Sequence, residues 1–322
     1  MIDRILIVGG GSAGIRHALN VRKLLPESQI CILTRRTSLT ETIDRIELRK
    51  TIKESLQFKP EVVIIANAAS NHIETAEIFA REGAHLFIEK PISSSTKDVS
   101  KLIDFCRNNK LKLGVGYNLR FSPSLIYFRN FLLSGKIGRL LGFRCEVGQY
   151  LPDWRSNIAY QDSVSAKKEF GGGVLLELSH EIDYLSWIFG DWNWVISSIS
   201  TVSMFEIDVE DSAHIIISFE DKKQQAKING TLSLDFVRRD KSRVCTVIGD
   251  QTTLRWNGIS NKVEIFDLKN DIWNEIYYEI NKNDTYATEL THFFASIETD
   301  SDYLLNGIEG LKCLEMIEAI IQ

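Results

Sequence analysis

A glycine-rich turn close to the N-terminus constrains the fold of this chain more than any other feature. The segment Gly9–Gly14 (GGGSAG) follows a short apolar strand predicted at Arg4–Val8 and opens a helix predicted over Gly14–Leu25. Its G-x-G-x-x-G spacing lets the backbone approach a pyrophosphate closely at a helix N-terminus. Glycines in such a turn can also be purely structural, but the strand before them and the βαβ continuation favour dinucleotide binding. The predicted binding residues are Gly9, Gly11, Ser12, Ala13 and Gly14.

The rest of the first third alternates strands with helices, apart from Thr37–Ser55, whose pattern is ambiguous. This alternation predicts a doubly wound parallel sheet, so residues 1–118 are expected to form a Rossmann domain. The predicted strands are Ile30–Thr34, Glu61–Ala66, His85–Ile88 and Leu111–Gly116, and the predicted helices are His72–Glu82 and Thr96–Asn108.

After about residue 118 the regular alternation of strands and helices ends. Helices are predicted at Pro123–Leu133 and Gly171–Phe189, and Trp194–Ile280 shows β alternation with hairpin signals. Two helices close the chain. Residues 119–322 are therefore predicted to form an α/β domain with a large, mostly antiparallel, open sheet, and the closing helix could pack back on the Rossmann domain.

Composition excludes several classes of protein. The 322 residues carry a net charge of −5, which is not the basic balance of a nucleic-acid-binding protein. No apolar run approaches the roughly 20 residues of a membrane helix, and the N-terminus enters a strand directly, so no signal peptide is expected. The five cysteines are scattered, which argues against disulfides and a metal site. We expect a soluble cytoplasmic protein without nucleic-acid or membrane partners.

The end of the second predicted strand bears on the choice of nicotinamide cofactor. An acidic residue at this position binds the ribose 2′-hydroxyl of NAD. Here the strand ends in Leu33-Thr34-Arg35-Arg36, without a carboxylate, and the two guanidinium groups could bind a 2′-phosphate. This pattern predicts NADP(H) as the preferred cofactor. The alternatives are a solvated loop, or NAD bound without the acidic contact.

Two further segments carry candidate catalytic side chains. Lys90, in Glu89-Lys90-Pro91, follows the predicted strand His85–Ile88, where ligands of an open α/β sheet bind. Glu177, His180 and Asp183 recur every three residues in a mostly apolar predicted helix, so they would share one side of it. A lone strand-end lysine is usually a surface residue, and buried ionisable groups can form a purely structural cluster. Next to a cofactor domain, we favour proton transfer by His180.

Taken together, these segments resemble the glucose–fructose oxidoreductase/inositol dehydrogenase (Gfo/Idh/MocA) family over nearly the whole chain. The resemblance is carried by Gly9–Gly14, Ala66–His72, Glu89–Pro91, Gly114–Pro123, Ser134–Gly138 and Gly171–Asp183.

The resemblance implies a Rossmann domain followed by an α/β domain whose open sheet mediates assembly into a homodimer or homotetramer. It implies that Lys90 assists catalysis, that Glu177 and His180 contact substrate, and that the histidine is the acid/base. It also places Asn67, His72, Glu89 and Asn118, together with Lys90, along the cofactor.

The sequence departs from the family pattern in three places. Glu177 stands where an aspartate is commoner, and it precedes His180 by three residues rather than four. This spacing leaves open how Glu177, His180 and Asp183 divide their roles. Asn67-Ala68 replaces the family's Thr-Pro, and the acidic residue of the second strand is missing.

The implied reaction is hydride transfer between nicotinamide and a secondary carbinol or ketone of a sugar, polyol, sugar acid or nucleotide sugar. Four residues of the segment 150–160 are predicted to form a substrate wall, because aromatic rings stack on sugars and an arginine binds acidic groups: Tyr150, Trp154, Arg155 and Tyr160. A surface loop anchored by Trp154 is the equally weighted alternative. A non-catalytic NAD(P)-binding sensor is the second functional hypothesis, since the family includes a transcriptional co-repressor of galactose metabolism.

Overall fold

A computed structural model of the chain describes residues 2–39, 41, 43–154, 158–221, 226–281 and 283–322. The chain divides into two compact units. The first unit comprises Met1–Asn118 and Asn283–Leu314, and the second comprises Leu119–Lys282 and Glu315–Gln322. Across the described residues, no helix combines the length and the apolar character that a membrane crossing requires.

The strands and helices are labelled in chain order. The strands are β1 (Arg4–Val8), β2 (Gln29–Leu33), β3 (Ile46–Arg49), β4 (Val62–Ile65), β5 (His85–Glu89), β6 (Leu113–Gly116), β7 (Leu140–Gly148), β8 (Asp191–Ser200), β9 (Ser212–Asp221), β10 (Ala226–Asp235), β11 (Ser242–Gly249), β12 (Thr253–Asn257), β13 (Lys262–Asp267) and β14 (Ile272–Tyr277). The helices are α1 (Ser12–Leu24), α2 (Ile52–Gln57), α3 (His72–Arg81), α4 (Val99–Asn108), α5 (Pro123–Leu133), α6 (Val174–Glu177), α7 (His180–Phe189), α8 (Asp284–Glu298) and α9 (Gly307–Ile321).

The first unit contains a six-stranded, fully parallel sheet in the order β3-β2-β1-β4-β5-β6. The order reverses between β1 and β4, and a crevice for ligands opens at such a point beyond the carboxyl ends of the strands. The predicted Rossmann sheet is therefore confirmed. The ambiguous stretch Thr37–Ser55 contributes β3 and the start of α2.

The core of the first unit is made by fully buried central strands and by aromatic rings from distant segments. Phe87 of β5 packs edge-on against Phe293 of α8, with the ring centres 5.3 Å apart. Tyr303 packs edge-on against Phe293 at the same centre-to-centre distance. These contacts attach Asn283–Leu314, distant in sequence, to the parallel sheet of the first unit.

The second unit contains an eight-stranded sheet in the order β14-β13-β12-β11-β7-β10-β9-β8. Every neighbouring pair is antiparallel except β7 and β10, which are parallel. The prediction of a large, mostly antiparallel sheet is confirmed. The sequence analysis missed β7, which lies in the middle of the sheet and pairs only with strands about 90 or more residues away.

The exposed face of this sheet carries large apolar side chains on its β8 and β9 strands. Along β9, Ile215 and Ile217 are buried whereas Ile216 is 45% exposed, as the two-residue period of a strand requires. On the neighbouring β8, Ile196 is 61% exposed. The sheet therefore presents large apolar side chains on the face opposite its buried one.

Candidate active site

The glycine turn after β1 has the close backbone packing that its spacing predicts. Gly9 has φ of +117°, and a Cβ atom there would lie 2.4 Å from the Ala66 carbonyl oxygen. A Cβ on Gly14 would lie 1.9 Å from the Gly9 carbonyl oxygen. A Cβ on Gly11 would meet nothing within 4 Å. Two glycines are thus required by the fold, and the third leaves the turn open toward solvent.

The N-terminus of α1 has the character of an anion-binding site. Its cap residue is Gly11, which provides no side-chain hydrogen bond, and the first turn contains no acidic residue. Ser12 and Ala13 form this first turn, where N–H groups point outward without helical partners. Across the crevice, at the end of β4, the buried Asn67 Oδ1 has no hydrogen-bond partner among the described residues. A bound dinucleotide fits these features: it would occupy the open space at the turn, accept hydrogen bonds from the N–H groups and offer a partner to Asn67 Oδ1.

The end of β2 contains two exposed arginines. Thr34 is buried and its Oγ1 accepts the backbone N–H of Arg36 at 3.2 Å. The Arg36 carbonyl oxygen in turn accepts a hydrogen bond from the Lys50 ammonium group. Arg35 and Arg36 are both exposed, so their guanidinium groups can reach a ligand from solvent.

Lys90 follows directly after β5, and its backbone is held by its neighbour. Glu89 Oε2 accepts the Lys90 backbone N–H at 3.2 Å, and Glu89 Oε1 lies 2.7 Å from His17 Nε2. Burial raises the pKa of Glu89, but the hydrogen bond and charge of His17, with Arg16 and Lys90, outweigh it and lower the pKa to about 2. The Lys90–Pro91 peptide bond is cis.

His72 and Asn118 connect loops at the same edge of the parallel sheet. His72 Nδ1 lies 3.0 Å from the Pro91 carbonyl oxygen, and its Nε2 lies 3.3 Å from that of Asn67. Burial lowers the pKa of His72. Asn118, just beyond β6, donates from Nδ2 to Thr285 Oγ1 at 2.7 Å. The structure therefore brings Asn67, His72, Glu89 and Lys90 together through hydrogen bonds.

In the second unit, the helix predicted over Gly171–Phe189 is two helices. Glu177 ends α6 and His180 begins α7. The prediction that the two residues share one face of a continuous helix is therefore wrong. The Glu210 carboxylate accepts the Leu175 backbone N–H at 3.1 Å, which closes the N-terminus of the four-residue α6. Ser165 donates to Glu177 Oε1 at 3.0 Å and holds that carboxylate beside a neighbouring turn.

Two ion pairs, one buried and one partly buried, fix the helix that begins with His180. Arg120 binds both oxygens of Asp183, with Nε–Oδ2 of 3.0 Å and Nη2–Oδ1 of 2.7 Å. Arg243 of β11 donates to Glu181 Oε1 at 2.8 Å. The sequence analysis named Asp183 as a candidate site residue but did not name Arg120, Glu181 or Arg243. Arg120 was detectable as a cation within the Gly114–Pro123 motif, whereas Arg243 carries no local signal.

The predicted substrate wall is an aromatic cluster. Tyr150 and Tyr160 both contact Phe205, with ring centres 5.3 and 5.4 Å apart. Trp154 packs edge-on against Phe236 at 5.0 Å and donates from Nε1 to the Gln149 carbonyl at 3.1 Å, so it anchors the segment. Arg155 lies outside the described residues.

Comparison with known proteins identifies the family. Residues 4–117 match the Gfo/Idh/MocA oxidoreductase family domain described as an NAD-binding Rossmann fold, and residues 129–322 match the family's C-terminal alpha/beta domain. This chain belongs to the Gfo/Idh/MocA oxidoreductase family. The predicted family is thus confirmed.

Individual Gfo/Idh/MocA relatives are distant. The chain is 23% identical to the inositol 2-dehydrogenase of Rhizobium meliloti over 87% of this chain and 81% of that protein. It is 25% identical to the levoglucosan dehydrogenase of Pseudarthrobacter phenanthrenivorans over 61% of this chain, and the match spans about half of that relative, 53%. A solved levoglucosan dehydrogenase in complex with NADH and L-sorbose superposes with a TM-score of 0.84 at 18% identity, covering 99% of this chain and 96% of that one.

Proposed function

We propose that this protein is an NAD(P)-dependent dehydrogenase or reductase that acts on a secondary carbinol or ketone of a carbohydrate-type substrate. The observation that carries the proposal is Lys90 at the carboxyl end of β5, with its backbone held by the partly buried Glu89. In an open α/β sheet this edge is where ligands bind. The family match supports the oxidoreductase class.

The nicotinamide supplies the hydride acceptor in one direction and the hydride donor in the other. Lys90 binds the substrate oxygen and stabilises the negative charge that develops on it during oxidation. His180 takes the hydroxyl proton during oxidation and returns it during reduction. Glu177, oriented by Ser165, binds the substrate, and Asp183 acts through Arg120, which fixes the helix that carries His180.

The cofactor is held by the residues predicted from the sequence. The N–H groups at the start of α1 bind the pyrophosphate, and Asn67 and Asn118 line the nicotinamide side. We propose a preference for NADP(H), because Arg35 and Arg36 are exposed where NAD-binding sheets carry a carboxylate. His72 contributes by bracing the Asn67 loop against the Pro91 carbonyl.

The substrate is proposed to be a sugar, polyol, sugar acid or nucleotide sugar. Relatives named for levoglucosan and inositol support small cyclic polyols. A structural neighbour, the WlbA dehydrogenase of Bordetella pertussis, was solved with NADH and UDP-GlcNAcA and superposes with a TM-score of 0.83 at 19% identity. Tyr150 and Tyr160 are proposed to line the substrate side of the second unit, and Arg155 is proposed to bind an acidic group of the substrate.

We further propose a homodimer or homotetramer that buries the exposed face of the eight-stranded sheet. The large apolar side chains of that face, such as Ile196 and Ile216, support this arrangement because monomers rarely expose contiguous apolar patches. We propose a reducing compartment such as the cytoplasm, where the five scattered, buried cysteines would remain thiols.

The first experiment is a fluorescence titration of the purified protein with NADPH and, separately, NADH. Tighter binding of NADPH supports the arginine pair, and tighter binding of NADH overturns the cofactor preference. A panel of polyols, sugars, sugar acids and nucleotide sugars is then assayed by nicotinamide absorbance. Cofactor binding without turnover on any substrate would favour a sensor, and binding of neither cofactor would exclude the redox function.

A further inference from the structure

The side chain that holds Glu89 comes from the helix opened by the glycine turn. His17 lies in the second turn of α1 and is fully buried, with its ring edge-on to Phe87 at 5.6 Å. Its Nε2 lies 2.7 Å from Glu89 Oε1, whereas its Nδ1 has no hydrogen-bond partner among the described residues. The ring is therefore oriented by one polar contact, and that contact is with Glu89.

The same carboxylate is the link to Lys90. Glu89 Oε2 accepts the Lys90 backbone N–H at 3.2 Å while Oε1 is bound to His17. The carboxylate thus bridges two segments that the proposed function uses for different purposes: α1, whose N-terminus holds the pyrophosphate, and the strand end that presents Lys90. A carboxylate fixed at both oxygens orients the group it binds more precisely than one fixed at a single oxygen.

A second carboxyl group nearby gives a contrast. Glu289 of α8 is fully buried, and neither of its oxygens has a hydrogen-bond partner among the described residues. Burial, and next the charge of Glu89, raise its pKa well above the usual value, with Arg16 opposing. The two shifts have opposite directions: the contacts of Glu89 favour its ionised form, and the surroundings of Glu289 favour its protonated form.

We propose that His17 and Glu89 form a positioning pair that sets the backbone of Lys90 relative to the helix holding the cofactor pyrophosphate. The inference rests on the proposed function, in which Lys90 contacts the reacting oxygen. His17 touches neither substrate nor cofactor in this scheme and acts only through Glu89. A displacement of about 1 Å at a catalytic group can cost about 100-fold in rate, so the loss of this pair should lower kcat rather than folding alone.

The test compares three variants of the full-length protein. In His17→Leu the ring is replaced by an apolar side chain of similar bulk, which removes the donor to Glu89. In His17→Gln an amide nitrogen is restored near the Nε2 position. In Glu289→Gln, the matched control, the buried carboxyl is replaced by an amide of the same size.

Two readouts are measured for each variant. The first is hydrogen exchange of the Lys90 backbone amide, which reports its bond to Glu89 without any need for activity. The second is kcat and KM on the best substrate, together with cofactor affinity. We expect His17→Leu to raise the exchange rate about tenfold and to lower kcat about 10–100-fold, with KM and cofactor affinity within about threefold. His17→Gln should recover most of both, and Glu289→Gln should change neither.

The outcomes separate this inference from the proposed function. Unchanged exchange at Lys90 in His17→Leu overturns the positioning pair, whatever the activity. Faster exchange with normal kcat overturns its role in catalysis, provided that Lys90→Ala is inactive. If Lys90→Ala is fully active, the proposed role of Lys90 fails instead. Equal loss of kcat in His17→Leu and His17→Gln, in proportion to lost folded protein, would show a packing role only.

Discussion

Both units bury carboxyl groups close to a candidate catalytic side chain, but they neutralise them differently. In the second unit, Asp183 and Glu181 each bind an arginine from a distant segment, within three residues of His180. In the first unit, Glu89 is paired with a histidine, and Glu289 has no hydrogen-bonding partner within the part of the chain that the structure describes. Beside His180 the second unit therefore compensates buried carboxylates with arginines, whereas burial of Glu289 in the first unit favours a bound proton, which a rise in pH removes.

The largest effects should follow removal of the two proposed catalytic groups. Lys90→Ala and His180→Ala should each lower kcat/KM by about 1,000-fold or more, because each removes charge stabilisation or proton transfer in the transition state. Cofactor affinity, measured by fluorescence titration, should stay within a few-fold of wild type. Lys53→Ala and His292→Ala, at exposed positions outside the candidate site, serve as controls. Normal turnover in either active-site variant would show that the substituted residue has no catalytic role.

Breaking one ion pair of the second unit should cost stability. Asp183→Ala leaves Arg120 charged at a site where its side chain is only 3% exposed, and we expect the free energy of unfolding to fall by about 3–5 kcal/mol. Urea unfolding measures this change. The double variant Arg120→Leu/Asp183→Leu removes both charges and should recover most of the loss.

The same pair of variants distinguishes the two roles considered for Asp183. If Asp183 acts only by holding Arg120, the double variant recovers activity along with stability, as far as the helix that begins with His180 is restored. If the double variant is stable but inactive, the carboxylate itself serves catalysis.

The comparison also explains how far the sequence could predict this protein. In the first unit, strand ends in a parallel sheet place side chains at one edge, so the position of Lys90 follows from local pattern, whereas Asn67 was named through the family resemblance. In the second unit, β7 was missed even though its residues 143–147 alternate apolar and charged side chains, the pattern of a half-buried strand. The break between Glu177 and His180 was missed too, because three glycines and an apolar run favour one helix. The ion pair of Arg243 with Glu181 depends on where β11 lies in the sheet, so local sequence could not predict it.

The arginines at the end of β2 should discriminate between the two cofactors. The double variant Arg35→Ala/Arg36→Ala removes two guanidinium groups from the proposed 2′-phosphate site, and we expect the Kd for NADPH to rise about 10–100-fold. The Kd for NADH should stay within about twofold. Lys53→Ala, which removes an exposed positive charge from the same unit, controls for general electrostatics. An equal loss for both cofactors, or none, would contradict a 2′-phosphate contact.

The smallest effect, and the one that tests the contrast between the units most directly, concerns Glu289. Its pKa is raised in the folded protein by burial and by Glu89, against the opposing charge of Arg16. The folded state therefore binds this proton more tightly than the unfolded state, so its contribution to stability is complete below the ordinary glutamate pKa of about 4.3. That contribution is lost as pH rises toward the folded value, by at most about 1.4 kcal/mol per pH unit.

Glu289→Gln has no proton to lose, so its stability relative to wild type should grow between pH 5 and pH 8 in urea unfolding. Glu298→Gln, at an exposed position of the same helix, should show no such trend. A pH-independent difference for Glu289→Gln would mean that the carboxyl is ionised in the folded protein, and the contrast drawn between the two units would fail.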